Sequence, residues 1–237
     1  MPKTPPKIVV GITQNVLAFY AQITNDPHHR YRSWDHCYSY FQSLATSSKQ
    51  RDIDLASLHL AFYLASWGMY RGSSFILWKD YRIHVPAITL LLEQEYRRLW
   101  NLDLNLVSAD SDEVRSLFSL ASRLKQIYVR AAVTINGIAA HRTPTDTLVT
   151  KILLGTLACT PAYDRLVSNG MRYLRYFPAT FTPRGYAGCI EFFRSNRKEF
   201  MAAHAQIAAR GANYPPMKLI DMYFWSIGDQ LDALKKK

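Results

Sequence analysis

Along most of this chain the apolar residues recur at steps of three and four, the period of an amphipathic helix, and nowhere does the alternation of a half-buried strand persist. The first such segment lies between Ile8 and Ile23 among Pro2, Pro5, Pro6 and Pro27. It predicts a short helix within an extended leader of residues 1–30, closed by a turn at Asn25-Asp26-Pro27. Trp34, Cys37, Tyr38, Phe41 and Leu44 mark a second helix with Ser33 as its N-cap. Asp54 is expected to cap a third, where Leu55, Leu58, Phe62, Ala65 and Met69 make one stripe and Leu60, Tyr63, Leu64 and Trp67 fill the remaining faces. A helix apolar all round belongs at the centre of a fold.

That helix should stop at Gly68 or Gly72, and the Gly72-Ser73-Ser74 turn leads on to residues 75–79 and a helix over 86–100. Further helices are expected over 113–135, ended by Gly137, over 147–157, from Pro161 to about residue 173, and over 189–209 after a loop at 183–188. The last follows Tyr214-Pro215-Pro216 and carries Met217, Leu219, Ile220, Met222, Tyr223, Phe224, Trp225 and Ile227, too apolar a set for the surface. The pattern predicts an all-α fold of six to eight helices, one helical domain over 31–237 that can divide into lobes at 31–140 and 141–237.

Composition narrows the setting. A chain of 237 residues can bury a substantial core. Its three cysteines, Cys37, Cys159 and Cys189, form no C-x-x-C pair and no zinc-like cluster, so buried thiols in a reducing, cytoplasmic compartment are expected. Gln14, Asn15 and Gln22 interrupt the first apolar stretch and no cleavage site follows, which argues against a signal peptide. The richest apolar run, residues 55–69, contains Ser57, His59 and Ser66, which argues against a membrane span.

Charge names a partner class. The 29 Lys and Arg against 18 Asp and Glu leave a formal charge of +11, spread along the chain except for the closing Lys235-Lys236-Lys237 run. Such an excess raises the local concentration of polyanions and points to nucleic acid; a basic surface that serves only solubility is the alternative.

The chain lacks a Gly-rich phosphate loop, G-x-S-x-G, H-E-x-x-H and a dinucleotide fingerprint. Two segments stand out, Thr145-Asp146-Thr147-Leu148-Val149-Thr150-Lys151-Ile152-Leu153-Leu154-Gly155 and Thr160-Pro161-Ala162-Tyr163-Asp164-Arg165. A short turn there delivers an acidic residue to the mouth of a helix, where an aspartate ordinarily serves as a cap. The arrangement resembles the helix-hairpin-helix DNA glycosylase superfamily, in which a DNA-gripping hairpin precedes a helix, a short turn and a catalytic aspartate. The resemblance implies a helix-hairpin-helix arrangement with two helical lobes flanking a cleft, places Thr145 to Thr150 in the hairpin and makes Asp164 the catalytic candidate. The segment from Lys218 to Gly228 is similar to the closing D-x-x-x-W-x-x-G helix of some distant members, with Asp221 and Trp225 at the matching positions.

The likeness covers roughly residues 141–230. Thr145-Asp146-Thr147 stands where the family has Gly-x-Gly, and the lysine of bifunctional members falls near Leu148, with Lys151 one turn later. A monofunctional enzyme acting on double-stranded DNA, without lyase chemistry, is therefore implied, with water as the only cosubstrate, no metal or organic cofactor, and a monomeric, nucleoid-associated protein.

The chemistry such a site needs is simple. Cleaving an N-glycosidic bond builds positive charge on the sugar, which a carboxylate such as Asp164 stabilises while orienting or deprotonating water. The base must first leave the duplex, at a cost of a few kcal/mol that stacking in a pocket offsets. Trp67, Tyr70, Arg71 and Trp78 around the Gly68 and Gly72 turn, with His59 earlier and Tyr163 and Asp221 later, are the pocket candidates; ordinary core packing is the alternative for the aromatics. His141, Arg142, Thr145, Thr147, Lys151 and Arg165 could contact phosphates through side chains and a helix N-terminus, or simply make a solvated basic face. The bulk of the aromatic set points to an unusual substrate, such as a hypermodified phage base met in antiviral defence.

Two rivals compete. Arg30 and His36 have the spacing of an HEPN-type ribonuclease, also all-helical. A helical module that binds nucleic acid or a protein without catalysis would use Asp164 as a cap and the aromatics as core.

Overall fold

The computed structural model describes residues 8–46, 52–100, 102–131, 134–135, 138–139 and 143–236. Among the described residues ten α-helices follow in order. They are α1 (Ile12–Thr24), α2 (Ser33–Thr46), α3 (Ile53–Ser66), α4 (Val85–Leu91), α5 (Asp112–Ala131), α6 (Asp146–Thr156), α7 (Arg165–Leu174), α8 (Pro183–Ser195), α9 (Arg197–Ala208) and α10 (Pro216–Lys235). The fold is all-helical apart from a two-residue antiparallel pairing of Thr134–Ile135 with Ile138–Ala139. No helix among the described residues is long and apolar enough to cross a membrane.

Several boundaries differ from those the sequence predicts, each for a local reason. Ser33 is the first residue of α2 rather than its cap, because a 3₁₀ turn, Arg30–Arg32, runs into it. Asp52, not Asp54, caps α3, its carboxylate accepting the Leu55 N–H at 2.8 Å, while Asp54 receives the Tyr81 hydroxyl and pairs with Arg82. The stretch 86–100 breaks after Leu91 and resumes as a 3₁₀ helix, Gln94–Leu99. Helix α5 stops at Ala131, short of the strand pairing. Pro161 does not open α7, which begins four residues later. Residues 183–188 are the first turn of α8, where Pro183 needs no N–H bond and Thr182 accepts the Gly185 N–H.

Two compact units emerge. One comprises His28–Asp103 and Asp110–Thr160, the other Met1–Pro27, Leu104–Ala109 and Pro161–Lys237. The division thus falls at residue 160 rather than 140, and the helix expected inside a loose leader belongs to the second unit.

In the first unit α2 packs on α3 and α6, α3 on α4 and α6, and α5 on α4. Trp34 is buried and donates its indole N–H to the Leu154 carbonyl at 3.0 Å. Tyr63 fits against Gly155, where a Cβ would come within 2.3 Å of its ring. Helix α3 is not central on all faces: Ala56, Ser57, Leu60, Tyr63 and Leu64 are buried, while Leu55 and Leu58 are exposed and Phe62 is 64 % exposed.

In the second unit α7 and α10 lie backbone to backbone. A Cβ at Gly170 would stand 2.1 Å from the Phe224 carbonyl, and one at Gly228 the same distance from that of Leu166. Helix α1 packs on α9 and α10, with Phe19 edge-on to Trp225. Phe192, Phe193, Phe200, Tyr223 and Phe224 form an aromatic core, each such burial being worth about 1.5–3 kcal/mol. Arg194 donates to the carbonyls of Leu104, Asn105 and Val107, which ties that short segment to this unit.

Candidate nucleic-acid interface

The N-terminus of α6 is where the first unit brings chemistry-bearing residues together. Thr145 is its N-cap, extended at φ −76°, with its hydroxyl accepting the Leu148 N–H at 3.2 Å. Asp146 in the first turn suits the helix dipole and pairs with Lys125. Facing this end is the turn after α3, where Gly68 takes φ +76° and the guanidinium of Arg71 packs 3.1 Å from where a Cβ would sit. Arg71, Ser73, Ser74, Thr143 and Thr145 line a cavity of about 320 Å³ floored by Phe75 and Leu148. A basic side chain, several hydroxyls and a helix N-terminus around one space make an environment for an anionic group. Ser73 and Ser74 are additions to the candidates, legible in the sequence only as turn residues.

The other pocket candidates of this unit do not join that cavity. Trp67 is buried, stacked on Tyr31 at 4.3 Å, with the Lys151 ammonium 5.2 Å from its ring centroid. The Tyr70 hydroxyl is hydrogen-bonded with His84 Nε2 at 2.7 Å, and the Tyr128 hydroxyl with the other ring nitrogen at 2.6 Å. Burial pushes the His84 imidazole down to about 3 and the Tyr70 phenol up to about 12. His59 stacks on Tyr40 at 4.2 Å, its imidazole lowered by burial and then by His36. Trp78 is exposed at the end of a short 3₁₀ turn.

Of the phosphate-contact candidates, Thr145 and Thr147 keep accessible positions at the head of α6. Lys151 does not: it is 3 % exposed and donates to the Trp67 carbonyl at 3.2 Å. Its helix period carries it inward with Leu148 and Ile152. His141 and Arg142 lie outside the described residues. Arg165, in the second unit, is exposed but engaged in a two-point ion pair with Asp232.

Asp164 is the N-cap of α7. Its Oδ1 accepts the N–H groups of Leu166 and Val167, both at 3.0 Å, and the residue is half-buried. The strand of chain before it is held from behind: Asp221, 1 % exposed on α10, accepts the Ala162 N–H at 2.9 Å and pairs with Lys218, equally buried, at 3.4 Å. Asp221 is therefore an internal brace, not an open pocket wall. Tyr163 is likewise buried, tilted against Phe181, its phenol pushed well above the ordinary range by burial. The sequence offered Asp221 as a pocket candidate; its role as a brace depends on the Ala162 N–H, 59 positions away along the chain.

Of the ribonuclease pair, Arg30 lies over the Tyr31 ring and donates to its hydroxyl, while His36 is exposed on α2. Among the described residues no group of three or more His, Cys, Asp or Glu stands where it could hold a metal ion. No family model matches the sequence, and no curated protein or solved structure is similar to it.

Proposed function

We propose that the chain is a monofunctional DNA glycosylase that hydrolyses the N-glycosidic bond of a modified base in duplex DNA, with Asp164 as the catalytic carboxylate. The observation that supports it is an order along the chain: a basic, hydroxyl-lined cavity at the head of α6, the helix itself, a braced turn, and a carboxylate at the head of α7. The α6 end would take a backbone phosphate through Arg71 and the threonine hydroxyls. Asp164, with one oxygen fixed by two backbone N–H groups, would present its carboxylate in a set orientation to the sugar and to the attacking water. A hypermodified base, as in phage genomes, is the substrate class this reading favours.

The double cap at Asp164 favours one other reading, a helical nucleic-acid-binding module in which the carboxylate only starts α7. The two separate cleanly. Asp164→Asn keeps a cap-competent side-chain oxygen, so the fold and DNA affinity persist under both. The test incubates the protein and this variant with ordinary and modified-base DNA, including phage genomes, and assays alkali-labile abasic sites and free bases by mass spectrometry. The glycosylase reading expects base release that falls by about a hundredfold or more in the variant. Equal release by both proteins, or intact DNA across the panel despite binding, would overturn it and leave the binding module.

A further inference from the structure

The second unit carries an aromatic cavity that plays no part in the site above. Tyr176, just past α7, is 64 % exposed although its ring stacks on Phe192 of α8 at 5.1 Å. Phe192 in turn stacks on Tyr223 of α10 at 5.7 Å and 16°, so three rings run as a pile from the core to solvent. Beside the pile Phe177, Glu191, Ser195 and Asn196 complete a cavity of about 320 Å³, at the small end of the range for ligand pockets and roomy enough for a planar heterocycle. Glu191 is its acid, and the Ser195 hydroxyl bonds the carboxylate at 3.4 Å, holding it on the cavity wall.

Basic residues adjoin the lining residues along the chain. Arg172 and Arg175 precede Tyr176 and are exposed, and Arg197 and Lys198 follow Asn196 at the start of α9. The first turn of α9 also holds Glu199, and Asn196 gives the helix no side-chain cap, its Nδ2 donating to the Phe192 carbonyl at 2.8 Å. Stacking rings, a carboxylate acceptor and basic residues next in sequence are complementary to one chemistry, a base on a phosphodiester strand.

We propose that this cavity binds an unpaired, amino-bearing nucleobase of single-stranded DNA, cytosine above all. The base continues the Tyr176 stack, Glu191 accepts from its exocyclic amine, and Arg172, Arg175, Arg197 and Lys198 carry the neighbouring phosphates. The site is separate from Asp164 and stands whether or not the chain releases bases.

Fluorescence anisotropy with the full chain tests it, using labelled hexamers of deoxycytidine and of deoxythymidine. Wild type is expected to bind the cytidine hexamer several-fold more tightly. Tyr176→Ala should weaken both by on the order of tenfold, while Glu191→Gln should erase the preference and leave thymidine binding in place. Deoxycytidine monophosphate added as competitor at millimolar concentration should displace the hexamer weakly, since it lacks the neighbouring phosphates; displacement as strong as by unlabelled hexamer would mean a free-nucleotide pocket and overturn the strand proposal. Circular dichroism and unfolding midpoints confirm that both variants fold. Unchanged affinity in folded Tyr176→Ala, or a cytidine preference that survives Glu191→Gln, would overturn the assignment. Tyr176→Ala should keep the base release of wild type while losing hexamer affinity, so loss of base release and loss of this site are read independently.

Discussion

Asp221 on α10 accepts the backbone N–H of Ala162 at 2.9 Å, so the turn leading to Asp164 is fastened to a carboxylate that is almost wholly out of water. The ammonium of Lys218 supplies the countercharge and itself lies 5.2 Å from the Phe19 ring centroid. Asp221→Ala leaves a buried lysine and a buried N–H with a lost partner each, a change expected to cost about 3–5 kcal/mol. Urea unfolding should show that loss. A Lys218→Met, Asp221→Leu double variant removes both charges and should be less destabilised than Asp221→Ala alone; the opposite order would mean that the pair does not act as a unit.

The α7–α10 contact makes a second prediction. Because a Cβ at Gly170 or Gly228 would stand 2.1 Å from a carbonyl oxygen of the facing helix, alanine at either position must push the helices apart. Each substitution should cost about 1–3 kcal/mol or more. Gly11→Ala, whose new methyl would meet nothing closer than 3.7 Å, should change the unfolding midpoint little. Similar midpoints for all three would show that the contact is looser than described.

Stability should fall with acid through His84. Its imidazole is buried neutral, with folded-state pKa lowered from 6.5 to about 3, so the unfolded chain binds the extra proton. The contribution is therefore complete above about pH 6.5 and is lost as pH drops toward 3, at up to about 1.4 kcal/mol per unit. Urea midpoints at pH 7.5, 6, 5 and 4 measure the slope, and His84→Gln should flatten it. A slope that persists undiminished in that variant would assign it to other groups.

The thiols offer a rapid check on packing. Cys37, Cys159 and Cys189 are all buried, and burial raises each thiol, that of Cys159 to about 12. Native protein at pH 7.5 should leave Ellman's reagent unreacted over minutes and should titrate all three thiols in guanidinium. Prompt reaction of any one would reveal local opening at that helix.

What the sequence by itself determined is the helical class. The three- and four-residue spacing at Trp34 to Leu44 and at Val114 to Tyr128 needs no partner to be read, because it follows from 3.6 residues per turn. The cap role weighed for Asp164 has an equally local reason, a side-chain oxygen within reach of N–H groups two or three residues on. Tertiary structure decided what periodicity cannot encode, namely which neighbour each face meets. Helix α3 is apolar all round, so only packing selects Leu60, Tyr63 and Leu64 for the core and leaves Phe62 in water. Lys151 reads as a phosphate contact or a solvated cation, and Asp221 as a pocket residue, until the Trp67 carbonyl and the Ala162 N–H stand opposite them. The chain divides at residue 160 and returns α1 to the far end of the sequence because contacts among α1, α9 and α10 span some two hundred residues, a separation that no local signal records.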